Sequence, residues 1–288
     1  MINTPTDARQ DFSYTLRAKI QTITSDFATK SGWRSFNPKD FKIEQLIVTI
    51  PHLARVFHNY RIAHISDIHY GQWISAERLE GIVQLINKHH PDAVAITGDF
   101  VSYILDEKTA NMITYLKKLR PKDGIFAVLG NHDHWAGAEK VKELLQKSNI
   151  KNLTNDIYIL RKREATLIFA GVDSAMIRKA HLDRVLEKMP STGPAIMLAH
   201  EPDFAIKTAQ TKRFSLQLSG HSHGGQFFIP GIGTPFRGHL SKKYPHGVYK
   251  VADMTLFTSI GLGTNTCWLR VNCPPEIAII DLQRGTQE

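Results

Sequence analysis

A chain of 288 residues, 42% apolar and 22% charged, can bury a large core and is neither a disordered nor a fibrous sequence. Its formal net charge of +9 favours anionic partners (phosphorylated substrates, anionic lipid surfaces, nucleic acid) without choosing among them. Two cysteines, Cys267 and Cys273, rule out a disulfide framework and leave either one bridge or two reduced thiols.

Residues Thr6 to Lys30 carry Phe12, Leu16, Ile20, Ile23 and Phe27 at helical spacing, accompanied by Arg9, Arg17, Lys19 and Lys30. This N-terminal amphipathic helix is either an interfacial membrane element or a surface helix that packs its stripe on the domain. The apolar run needed to span a bilayer, roughly 18–20 residues, does not occur, and the N-terminus has no signal-peptide core. The expected location is therefore cytoplasmic, with contact limited to the inner face of a membrane. Residues 1–40 are read as an extension and 41–288 as the main domain, whose first strand ends at Pro51.

From there the chain alternates. Arg61 to Ile65, Asp92 to Ile96 and Ile125 to Leu129 read as buried strands. Each is followed by a polar cluster and then a helical pattern, such as Leu79, Ile82, Val83 and Ile86 after Ser75. This order predicts parallel strands with helices on the sheet faces. The second half is richer in strands, with a hairpin over Asp156 to Ala170, a helix over His181 to Met189, and strands at Ala195 to Ala199, Phe214 to Leu218, Val248 to Val251, Leu256 to Thr258 and Glu276 to Leu282. The expected fold is one α/β sandwich with two sheets.

Five predicted strand ends carry chemistry: Asp67 and His69, Asp99, Asn131 and His132, His200, and His221 and His223. Any one of these alone is an ordinary polar turn or a core histidine. Their joint occurrence at strand ends, where α/β proteins place their sites, points to a metal centre. Residues two apart in an extended segment point the same way, so Asp67 pairs with His69, and His221 with His223 if that stretch stays extended. Carboxylate, carboxamide and imidazole without thiolate suit Mn, Fe or Zn. Seven ligands are too many for one ion, so two ions sharing Asp99 is the economical arrangement, with chemistry suited to attack of an activated water at phosphorus. His132, left unligated beside Asn131, is the candidate acid for a leaving oxygen. Asp133 either orients His132 or caps the following helix.

The ordered set Asp67-x-His69, Gly98-Asp99, Gly130-Asn131-His132-Asp133, His200 and Gly220-His221-Ser222-His223 resembles the calcineurin-like metallophosphoesterases. The resemblance implies a four-layer α/β/β/α sandwich with two mixed β-sheets. It also implies a first metal on Asp67, His69, Asp99 and His223 and a second on Asp99, Asn131, His200 and His221. A finer likeness, through His200-Glu201-Pro202-Asp203, Gly261-Leu262-Gly263-Thr264, Arg270 and Cys273-Pro274-Pro275-Glu276, is to a bacterial branch of membrane-associated phosphodiesterases and UDP-2,3-diacylglucosamine pyrophosphatases. It implies a phosphorylated small-molecule or lipid-linked substrate. Arg237, Lys242, Lys243 and Arg270 are the candidate phosphate or headgroup contacts. A nucleic-acid phosphodiesterase is the enzymatic alternative, though no aromatic and basic residues interleave as stacking on single strands requires. A metal-free scaffold is the non-enzymatic alternative, against which every ligand position is filled. No protein partner is implied.

Overall fold

The computed structural model describes residues 35–235, 238–264 and 269–285, together with Leu16, Lys19 and Ile23, which are helical and exposed. The rest of the N-terminal stripe, Arg237, Cys267 and Trp268 lie outside the described residues.

Twelve strands among the described residues form two six-stranded sheets. The first has the order β1 (Lys42–Ile50), β12 (Glu276–Arg284), β2 (Tyr60–Ile65), β3 (Ala93–Thr97), β4 (Gly124–Val128), β5 (Ile150–Asn152). The second runs β10 (Gly247–Val251), β11 (Met254–Thr258), β9 (Leu216–Ser219), β8 (Ala195–Leu198), β7 (Ala165–Gly171), β6 (Asp156–Lys162). Both are mixed. β2, β3, β4 and β5 pair in parallel while β12 runs antiparallel to β2. In the second sheet β7, β8, β9 and β11 are parallel, with antiparallel β6 and β10 at the edges.

Three apolar layers hold four structural layers together. The middle one lies between the sheets and includes Phe126 of β4 stacked on Phe169 of β7 with ring centroids 4.3 Å apart. The outer face of the first sheet is covered by α1 (Ala76–Lys88), α3 (Met112–Leu116) and α4 (Asn131–Lys147), through Leu79, Ile82, Met112, Leu116, Val141 and Leu145. The outer face of the second takes α5 (Leu182–Lys188) and α6 (Ala205–Gln210), through Val185, Ala205 and Ala209. This is the α/β/β/α sandwich that the resemblance implied. The Ser75 hydroxyl caps α1 by accepting from the Arg78 amide at 3.2 Å, and the stripe read from the sequence is the buried face of that helix.

Two elements differ from the sequence reading. The helical segment expected after β3 is two short helices, α2 (Glu107–Ala110) and α3, rather than one. α4 starts at Asn131, inside the polar cluster that follows β4 rather than after it, and is kinked at Gly137. A polar N-terminus carries no hydrophobic period, so the stripe does not reveal it.

Candidate metal centre

The carboxyl ends of β2, β3, β4, β8 and β9 meet at one end of the sandwich. Asp67 and His69 follow β2, Asp99 follows β3, Asn131 and His132 open α4 after β4, His200 follows β8, and His221 and His223 follow β9. The extended conformation expected of these segments is not what forms. Asp67, His69, Asp99, His221 and His223 all have positive φ, between 44° and 67°. Left-handed backbone costs a non-glycine residue free energy and persists where the surroundings dictate it, commonly at functional sites.

The surroundings here are main-chain hydrogen bonds between loops. The Asp67 amide donates to Gly98 O and the His69 amide to Asp99 O, both at 3.0 Å, and the Gly220 amide donates to His200 O at 3.0 Å. Across the two sheets, the His221 amide donates to Asp67 Oδ2 at 2.9 Å. Gly130 is a close-approach position: a Cβ there would run into the side chain and amide of Asp99.

These loops bring donor atoms into two groups. Asp67, His69, Asp99 and His223 form one, and Asp99, His200 and His221 the other, each with its ligand atoms within 4.8 Å of one another. His69 Nε2 lies 3.2 Å from His223 Nε2 and 3.6 Å from Asp99 Oδ2. His200 Nε2 lies 3.2 Å from the same Asp99 oxygen and 3.1 Å from His221 Nδ1. His221 and His223 therefore point to different groups, because the backbone turns between them into the short 3-10 segment His223–Gly225.

The arrangement fits cations. His200 donates from Nδ1 to Thr97 O at 2.7 Å and His221 from Nε2 to His239 O at 2.8 Å. Each fixes its tautomer this way, so His221 presents a lone pair directly to His200 Nε2. A proton or a metal ion must lie between them. Burial disfavours charge on His200, but the Asp99 carboxylate holds the imidazole well above its ordinary range. Burial likewise opposes charge on Asp99, yet the charge and hydrogen bond of His200 hold its carboxyl well below the carboxylate range. His69 and His223 are kept neutral, first by burial, which suits ligation. Asn131 Oδ1 is buried without a hydrogen-bond partner among the described residues, a cost that a metal ligand would not incur.

His132 sits apart from these groups. Its amide donates to Asp99 Oδ1 at 2.9 Å and its Nδ1 donates to Ser102 O at 2.9 Å. Its ring lies edge-on to Trp135 and Tyr103, with centroids at 4.5 and 5.0 Å. Burial lowers its pKa, and Asp99 and the Ser102 carbonyl oppose that. Asp133 makes no hydrogen bond to His132. Its carboxylate accepts from the amides of Gly130, Asp99 and Phe100 at 2.8–2.9 Å, so it caps α4 and clamps the Asp99 loop at once.

Of the expected phosphate contacts, Arg270 is committed elsewhere. Its guanidinium donates to the carbonyls of Gly263, Ile260 and Cys273 at 2.8–3.3 Å and braces the loop behind the first group. An arginine spent on main-chain carbonyls has no fork left to offer a phosphate. Lys242 and Lys243 are exposed, and their amides donate to Asp203. Three supporting residues are absent from the sequence-derived set: Ser102, whose Oγ lies 2.7 Å from His69 Nδ1, and the pair His134 and Asp173, 2.6 Å apart. Asp173 closely follows β7 and the strand-end rule finds it, whereas nothing in the local sequence marks Ser102.

An α/β/β/α sandwich that gathers nitrogen and oxygen donors at the carboxyl ends of both sheets defines a metallohydrolase class. Residues 60–225 match the calcineurin-like phosphoesterases, and the chain belongs to that family. It is 30% identical over 240 residues to the uncharacterized metallophosphoesterase YkuE of Bacillus subtilis, covering 81% of this chain and 82% of that one. Phosphodiesterase YaeI of Escherichia coli is 26% identical over 276 residues, covering 92% and 98%. A Danio rerio transmembrane protein with metallophosphoesterase domain is 28% identical over 257 residues, covering 85% of this chain and 58% of that one. The protein is a metal-dependent phosphoester hydrolase. No helix among the described residues is long and apolar enough to cross a membrane.

Proposed function

We propose that the protein hydrolyses a phosphodiester or pyrophosphate with two divalent ions, of Mn, Fe or Zn. Asp67, His69, Asp99 and His223 would hold one, and Asp99, Asn131, His200 and His221 the other. When bound, such a pair supplies positive charge for the phosphoryl oxygens and an acidified water for in-line attack. The observation that carries this reading is Asp99 Oδ2, which faces His69 Nε2 at 3.6 Å and His200 Nε2 at 3.2 Å and so belongs to both groups.

The chain's own part is to position and to move one proton. The Ser102 carbonyl holds the His132 Nδ1 proton, which leaves Nε2 as the atom that carries a proton to the leaving oxygen. The substrate's negative charge favours the imidazolium that burial alone disfavours. Asp133 keeps Asp99 and the start of α4 in register while this happens. The test is hydrolysis of bis-p-nitrophenyl phosphate with Mn2+. Asp99→Ala should reduce it to the rate without metal, and equal rates would sink the proposal.

For the substrate we favour a lipid-linked nucleotide pyrophosphate of the UDP-2,3-diacylglucosamine kind, met at the inner face of a membrane, as in lipid A biosynthesis. The branch likeness, the net charge of +9 and the Phe12 to Phe27 stripe support this. An enzyme that cleaves the model diester but releases no UMP from that lipid nucleotide would remove it.

A further inference from the structure

The segment between His223 and His239 leaves the metal centre and returns to it, with the His239 carbonyl on His221 at 2.8 Å. Its tip is apolar and faces outward. Phe228, Ile229, Pro230, Gly231 and Ile232 are exposed in succession, with Ile232 73% and Ile229 41% exposed. At its base, Leu269, 47% exposed, accepts from Gln226 Nε2 at 3.0 Å.

This tip is well built. The Ile229 and Gly233 main chains exchange hydrogen bonds at 2.9 and 2.8 Å, and the Ile232 amide donates to Ile229 O at 3.0 Å. Pro230 sets the turn and Gly231 takes its positive φ of 83°. The base is fixed by the Phe228 amide on Val271 O at 2.9 Å and by Asn272 Nδ2 on Phe228 O at 3.2 Å. A turn with its backbone satisfied and its aliphatic side chains outward presents those side chains, and exposed apolar surface of this kind marks an interaction site.

Charge selects the partner. From Gly220 to Ala252 the sequence contains no Asp or Glu, and it carries Arg237, Lys242, Lys243 and Lys250. Lys242, Lys243 and Lys250 are exposed. In sequence the apolar turn is followed by cations with no acid among them, a composition that an anionic headgroup layer attracts. A second copy of the same basic face would meet like charge. We infer that the Phe228–Ile232 turn inserts into an anionic membrane surface and holds the metal centre against it. This rests on the membrane location within the proposed function and adds the segment that makes the contact; the identity of the substrate does not enter it.

The test is co-sedimentation of the full chain, without substrate, with phosphatidylcholine vesicles that contain or lack phosphatidylglycerol. Wild type should partition onto the anionic vesicles. Ile229→Ser/Ile232→Ser and Lys250→Gln should each weaken that, the first by about tenfold. Both variants should keep Mn-dependent turnover of the soluble diester, which reports folding, and Ile232→Ser alone serves if the double change perturbs the loop. Binding by the isoleucine variant equal to wild type would overturn the inference, since another element would then be the anchor. So would a wild type that ignores anionic vesicles, or a loss of self-association in its place. Asp99→Ala protein should lose hydrolysis and still bind, which keeps this test independent of the catalytic one.

Discussion

Asp67, His69 and His223 stand on loops stitched to their neighbours by main-chain hydrogen bonds, and with Asp99 all four side chains are buried. Beyond the Asp67 and His69 amides, the Leu262 amide donates to Ser66 O and the Gly263 amide to Asp67 O. The second group leans on less. His200 is buried and tied to Thr97, but His221 is only half-buried, and its outer nitrogen depends on the carbonyl of the exposed His239. The comparison teaches that one cation position is fixed by the fold and the other is conditional on a surface segment. Asp99 joins the two, so the rigid half can tune the looser one.

The largest effect should follow from removing that joint. Asp99→Ala takes a ligand from both groups, and metal analysis should show both positions depleted alongside lost turnover. Next comes His132→Ala, which leaves every ligand in place. It should cost about 10²–10⁴-fold in turnover with metal content unchanged, as removal of a general acid does. A fall in metal content would show that His132 is structural. Gly130→Ala should cost on the order of a hundredfold, since a Cβ at that point displaces the Asp99 carboxylate that both groups share. Loss at only one position would mean that the two groups are less coupled than the shared oxygen implies.

A smaller change separates the halves. Ser102→Ala removes the hydroxyl 2.7 Å from His69 Nδ1 while leaving the Ser102 carbonyl on His132. Loss of such an outer hydrogen bond typically costs about 10–100-fold in metal affinity. A metal titration should therefore show the tighter step weakened and the looser one nearly unchanged.

How far this site was legible in the sequence follows from the same physics. Strand ends announce themselves, because a buried apolar run followed by Asp, Asn or His has no packing explanation, and this alone located the seven candidate ligands. The two-apart rule failed for His221 and His223, since φ is set by the tertiary contacts that force positive values and not by the residues themselves. Ser102 was invisible because its part depends on a loop reaching His69 from 33 positions away. Arg270 was misjudged for a related reason: its charge is readable in sequence, but its commitment to the carbonyls of Gly263, Ile260 and Cys273 is a fact of folding.

The least effect on activity, and the clearest on stability, should come from His64, which lies under the centre without entering it. Its Nε2 meets Thr97 Oγ1 at 2.9 Å, its Nδ1 has no partner among the described residues, and its ring abuts Phe257. Burial pulls its pKa from 6.5 down to about 3. The folded state therefore holds His64 neutral while the unfolded chain protonates it between those values. The stabilisation from keeping it neutral is complete above pH 6.5 and is lost as pH falls toward 3, a change on the order of 5 kcal/mol at most. Denaturant unfolding of the His64→Leu variant, with a chelator present so that no metal contributes, should show a flatter fall in stability across that window. Parallel curves for wild type and variant would assign the acid sensitivity to the buried imidazoles of the ligand groups instead. Equal metal content at neutral pH would show that the two groups do not need His64 to form.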